Sequence, residues 1–358
     1  QTTPKTATFT AVSGEGYFCN TTGSAFTVNL PAGVAGAIVS LADYAATWQT
    51  NNLTVSPNGT DKIGSLNQNA VLSTEGQSVT FVFVDSTQGW INTMDSTSNV
   101  RGAPPYIVAS VSGSGNTLTT VDTNFKLATF TGPGTFTVCS VAVSAADNAV
   151  AYMVIAGGGG NGNAGSGGGA GGFREGTTAP IVPYTASPLV NSSGITVTAQ
   201  AYSISIGAGG GDAAQGSNTT ALGITSTGGG NGGNRPGGGG AGGSGGGASD
   251  FSTSPGGTGN SPPVSPPQGN PGGSGSSGEN GGGGGGALSA GGNASGVPGT
   301  GATTQITGSA VIYAAGGAGD GASPAPGPAT PRANTGGGSS TADVGAGSGI
   351  VVIRYRFQ

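Results

Sequence analysis

Glycine is spread very unevenly along this chain: of its 78 glycines, 14 lie in residues 1–156 and 64 in residues 157–349. Glycine brings no side chain to a core, and ordering it costs about 0.5–1 kcal/mol more than ordering alanine. The second half must therefore stay an unordered coil or fold so closely that backbone hydrogen bonds between segments offset that cost. The spacing favours folding. Gly159, Gly162, Gly165, Gly168 and Gly171 fall every third residue, as do Gly269, Gly272, Gly275, Gly278, Gly281 and Gly284. Period three belongs to an extended left-handed helix with three residues per turn, in which one edge is then bare of side chains. Such rods can pack edge to edge, joining N–H to C=O between rods and adding Cα–H···O contacts. A flexible linker would have no use for the strand-like islands Ile195-Thr-Val-Thr, Tyr202-Ser-Ile-Ser-Ile, Ile224-Thr-Ser-Thr and Ala310-Val-Ile-Tyr. A collagen triple helix needs unbroken Gly-X-Y, which the islands and the run Gly281 to Gly286 interrupt. The expectation for 157–348 is a polyglycine II bundle.

The rest reads as all-β. Continuous apolar runs such as Tyr152-Met-Val-Ile and Ile350-Val-Val-Ile mark strands buried on both faces, which we read as neighbours in one sheet. Strands expected at 106–111, 125–130, 135–143, 149–156 and 349–357 form a β-sandwich-like domain with the glycine tracts inserted. The first hundred residues carry shorter β-branched and aromatic runs, from Thr6-Ala-Thr-Phe-Thr-Ala-Val to Gly89-Trp-Ile-Asn, with a hairpin signal at Asn58-Gly59. Arg101-Gly-Ala-Pro-Pro, whose prolines cannot sit inside a central strand, is the expected linker. The domains are then 1–101, a β module for attachment or oligomerisation, and 102–358, the glycine-rich domain.

Composition removes most chemistry. Nine basic and 14 acidic residues, net −5, give no basic run to grip a phosphate backbone, so no nucleic-acid partner is expected. No histidine is present, which removes the commonest general base and metal ligand and every Ser-His or Cys-His arrangement. Cys19 and Cys139 stand alone, without a CxxC, and read as two small buried thiols rather than a disulfide. No metal and no cofactor are expected. The GxGxxG strings of the glycine tracts lack the Lys-Ser/Thr of a P-loop and the acid of a dinucleotide site. A glycosidase-type carboxylate pair has no local signature among acids that fall singly. The chain therefore reads as a non-enzyme. No apolar run approaches the roughly 20 residues of a membrane span, and no signal peptide is visible. Arg174-Glu175 reads as a local ion pair closing the first tract.

Within the tracts the bulky or charged interruptions stand out: Asn234-Arg235-Pro236, Asp250-Phe251, Pro262-Pro263, Glu279-Asn280, Asp320 and Arg332. Packed rods must be joined by turns, and large side chains fit best there or on outer faces. Asn234, Arg235, Phe251, Glu279, Asn280 and Arg332 are accordingly the candidate receptor-contacting residues, since aromatic and Arg side chains on rigid loops make good contact surfaces.

Three stretches carry a likeness: Leu127-Ala-Thr-Phe-Thr-Gly-Pro-Gly-Thr-Phe-Thr-Val; Tyr152-Met-Val-Ile-Ala followed by Gly167-Gly-Gly-Ala-Gly-Gly-Phe-Arg-Glu-Gly; and Gly349-Ile-Val-Val-Ile-Arg-Tyr. Together they resemble the glycine-rich domain of tail-fibre and other virion proteins of bacteriophages. The first hundred residues, with Gly14-Glu-Gly-Tyr-Phe, are similar to a small β module of such proteins. The resemblance implies a fibre or adhesin at the virion surface, built as a homo-oligomer such as a trimer. Its partners would be other virion proteins and a host surface glycan or protein, with the end loops of a polyglycine II bundle touching the host. The alternatives are a capsid decoration or cell-surface fibre that binds no receptor, and an ice-binding protein.

Overall fold

The computed structural model describes residues 2–96, 106–251, 253–278, 280–321, 333–341 and 345–358. The chain divides into two compact units, Gln1–Gly102 and Ala103–Gln358; the linker expected at 101–105 lies outside the described residues. Both units are β-structured, and the one helical element among the described residues is a 3-10 turn at Ala145–Asn148.

The first unit contains β1 (Phe9–Thr10), β2 (Glu15–Cys19), β3 (Phe26–Asn29), β4 (Ile38–Asp43), β5 (Leu53–Ser56), β6 (Ala70–Leu72), β7 (Ser78–Asp85) and β8 (Gly89–Ser96). They form two sheets, ordered β1-β3-β5-β6 and β2-β4-β7-β8. The first five strands alternate between the sheets, so β1 and β3, β3 and β5, and β2 and β4 pair in parallel. Period-two alternation turns Tyr17, Cys19, Val28, Val39, Leu41, Leu53, Val55 and Phe81 inward around Trp48 and Trp90. The expected hairpin at Asn58-Gly59 is not formed. Asn58 only accepts the Asp61 N–H at 2.8 Å, and the chain detours through an Ile63 bridge to Trp90 before β6 returns to β5.

In the second unit, β9 (Val108–Ser112), β10 (Thr117–Val121), β11 (Phe125–Phe130), β12 (Gly134–Ser140), β13 (Ala149–Ile155) and β14 (Phe173–Gly176) precede a closing strand, Ile350–Arg356. That strand lies between β11 and β13, antiparallel to both, with Ile155 opposite Ile350 and Ala128 opposite Ile353. All seven residues of β13 are buried, as its unbroken apolar run requires. On one face Phe136 and Val138 of β12, with Ile204, pack on Phe130, Val150, Tyr152, Val154 and Ile353. On the other, Met153, Ile155 and Val352 are covered by Phe173, Ile306 and Tyr313.

Two expectations fail here for one reason: neighbouring residues in a strand face opposite ways. In β12 the inward turn of Val138 sends Cys139 outward. Both cysteines are free, but only Cys19 is buried. In β14, Glu175 is buried (2% exposed), accepting the Ser187 N–H at 3.0 Å and the Thr304 hydroxyl, while Arg174 faces away; the local ion pair does not form. The buried cation is instead Arg354, 1% exposed, paired with Asp122 at 2.7 Å and donating to the carbonyls of Pro183 and Ile306.

The glycine tracts leave the sheet end as short rods whose backbone groups bond mainly to neighbouring rods. In the rod 167–172, Gly167 and Ala170 donate to Gly282 and Gly285, Gly168 and Gly171 to Ser339 and Gly336, and Gly169 and Gly172 to Gly230 and Thr227. Donors three apart meet the same neighbour, which is the three-residue turn of polyglycine II. The same rod accepts from Ala156 and Gly159, from Ser244 and Gly247, and from Gly317. Six segments therefore surround it, three through its N–H groups and three through its carbonyls. The expectation of one bare edge was too modest: a Cβ on Gly167, Gly168 or Gly169 would run into a different neighbouring rod in each case. The period-three series also cross turns rather than follow single rods. Gly165 (φ 68) and Gly278 (φ 79) sit in the left-handed region at reversals, which glycine adopts without steric penalty.

Candidate functional site

Each rod that leaves the sheet must turn back. The rod beginning at Ala156 reverses through Gly162, whose N–H bonds the Ser166 carbonyl at 3.1 Å. At a rise of about 3.1 Å per residue, that reversal lies about 20 Å beyond the end of β13. Four further turns are fastened to this one or to each other. Asn163 N–H donates to Asn234 Oδ1 at 3.0 Å, and Arg235 N–H returns the contact to Asn163 Oδ1 at 3.4 Å. Asp250 N–H donates to the Ala164 carbonyl (3.1 Å) and accepts through its own carbonyl from Gly278 (3.2 Å), while Asp320 N–H donates to Gly165 (2.9 Å). Turns far apart in sequence thereby become one end face with a fixed backbone.

Of the expected contact residues, the structure brings Arg235 and Phe251 together. The guanidinium carbon lies 3.2 Å from the ring centroid, and Nε is 4.0 Å from Asp250 Oδ1. Both side chains remain accessible, Arg235 at 56% and Phe251 at 47%. The stack stabilises by about 0.5–1 kcal/mol and the long ion pair by about 0–1, enough to order the side chains without hiding them. Asn234 is exposed beside them, and Asn280, also exposed, packs against the backbone of Gly321. Glu279 and Arg332 lie outside the described residues. Sequence reasoning missed Asn163 as a member of the face. Its signal was its place between Gly162 and Ala164 at a break in the first tract.

Among the described residues no group of three or more His, Cys, Asp and Glu is placed to hold a metal ion. A second concavity, about 700 Å³, opens on the outer face of the β2-β4-β7-β8 sheet, lined by Phe18, Ser40, Thr80 and Met94. Its central hydroxyls, Ser40 and Thr80, are 2.9 Å apart and bond each other, and Asp95 at its edge accepts from Gln77 at 3.0 Å.

Fold and end face define a class: an all-β protein that carries a bundle of polyglycine II rods on a sheet scaffold. Residues 129–356 match the glycine-rich domain family, from the middle of β11 to the end of the closing strand, and the chain belongs to that family. No curated protein matches the chain. Among the described residues no helix is long and apolar enough to cross a membrane.

Proposed function

We propose that this protein is a fibre or adhesin at the surface of a bacteriophage virion, using the end face of its glycine bundle to touch the host cell. The observation that carries the reading is the end face itself. A lattice of glycine and small residues holds several turns in register and presents Arg235 stacked on Phe251 to solvent. A binder with a fixed backbone loses little entropy on contact. The likeness of residues 127–138, 152–176 and 349–355 to virion glycine-rich domains supports the same reading. The first unit would serve attachment to the particle or oligomerisation, in a homo-oligomer such as a trimer.

Immunogold electron microscopy of native particles, with an antibody to residues 102–358, tests the location. Gold at fibre or tail tips is expected; gold spread over the capsid, or none on particles, would overturn the adhesin reading in favour of a decoration or a cell-surface fibre.

A further inference from the structure

We infer that the end face recognises a neutral carbohydrate, an inference that rests on reading this face as the contact surface. Four features point there. The first is the supply of amides: the Nδ2 groups of Asn163, Asn234 and Asn280 have no acceptor among the described residues, although Asn163 and Asn234 are oriented by bonds to their Oδ1 atoms. An oriented amide with free N–H groups matches the paired hydroxyls of a sugar ring. The second is the aromatic ring of Phe251, backed by a guanidinium and 47% exposed, which offers an apolar surface to the C–H face of a pyranose.

The third is charge. One cation, Arg235, faces Asp250 at 4.0 Å, and Asp320 is a further exposed acid on the same face. With Asp212 exposed in the turn that Ala213 ties to Asn161, these residues sum to one cation against three acids, net acidic by two, which disfavours sulfated, sialylated or phosphate-bearing polymers. The fourth is the scarcity of large apolar side chains. Among the described residues, Phe251 is the one large exposed apolar residue in these turns, too little for the buried aromatic and aliphatic cluster that anchors a protein partner.

The test uses the full chain over surfaces coated with dextran, mannan or galactan, and over heparin and polysialic acid. Saturable binding to at least one neutral polymer is expected, insensitive to added salt. Arg235→Ala and Phe251→Ala should each weaken it about tenfold, the worth of one stacked contact, while the melting temperature falls by only a few degrees and the protein stays folded at the assay temperature. Asn280→Ala, which alters no backbone bond, should weaken it as well. Binding confined to the anionic polymers, or to none, overturns the inference. Attachment to cells recognised by the native particles separates the two readings. If the variants lose attachment while no neutral polymer binds, the face is a contact surface for another ligand. If they keep attachment, the contact surface lies elsewhere and both readings fall.

Discussion

Gly168 lies in the rod enclosed by six others, and replacing it with alanine probes the lattice directly. An added Cβ would meet the carbonyl of Gly159 far inside 3.0 Å, with backbone rather than a flexible side chain as the obstacle. The rods must part, and three hydrogen bonds are at stake. Gly168 N–H bonds Ser339 O at 2.9 Å, Gly317 N–H bonds Gly168 O at 2.8 Å, and Ser339 N–H bonds the displaced Gly159 O at 2.9 Å. At about 1 kcal/mol each, plus about 1–3 for overpacking, Gly168→Ala should destabilise the second unit by about 4–6 kcal/mol. That is a large share of the stability of an ordinary domain, about 5–15 kcal/mol. Gly211→Ala is the control: nothing lies within 4 Å of its Cβ position, and restricting the unfolded chain should stabilise by about 0.4–1 kcal/mol. Urea denaturation followed by far-ultraviolet circular dichroism measures both, with the fluorescence of Trp48 and Trp90 reporting the first unit separately. If Gly168→Ala costs no more than the roughly 0.5 kcal/mol of a surface change, the rods are not close-packed and the reasoning fails.

Buried serines in the rods give a paired expectation. Ser244 Oγ is buried without a partner among the described residues, whereas Ser166 Oγ donates to the Gly233 carbonyl at 2.8 Å. Ser244→Ala should therefore stabilise by about 1 kcal/mol and Ser166→Ala destabilise by about as much, opposite shifts that calorimetry resolves. Alkaline pH should weaken the second unit. Burial, with Cys139 nearby, pushes the Tyr355 hydroxyl from 10.0 up to about 12. The folded state then keeps a proton that the unfolded chain releases, so stability is full below pH 10.0 and falls by about 1.4 kcal/mol per pH unit up to about 12. Tyr355→Phe should flatten this part of the pH profile of the melting temperature; an unchanged slope would place the titrating group elsewhere.

What was legible in the sequence follows from what side chains encode. The runs Tyr152–Ile155 and Ile350–Ile353 could be paired before any coordinates, because strands buried on both faces are apolar throughout and few such runs exist here. The parallel pairs of the first unit could not, since nothing local in Phe26–Asn29 names a partner beyond the intervening strand. Period three announced the rods, but glycine serves both a rod and its reversal. Gly165 and Gly278 therefore looked like members of long rods when they mark their ends. Arg235 and Phe251 were singled out one by one as interruptions. Their stacking was hidden, because two rods and the packing between them decide which turns meet.

The rods repeat every three residues and hold inside them little beyond glycine and small residues such as Ala170, Ser166 and Ser244, so the bonding pattern itself sets no length. Adding three residues to every rod repeats each bonding direction and moves the joined turns outward together by about 9 Å. The sheet scaffold stays unchanged and the turns arrive in the same orientation. A bundle of this kind can thus set how far its turns project in discrete steps, without redesigning either the foundation or the residues at the summit.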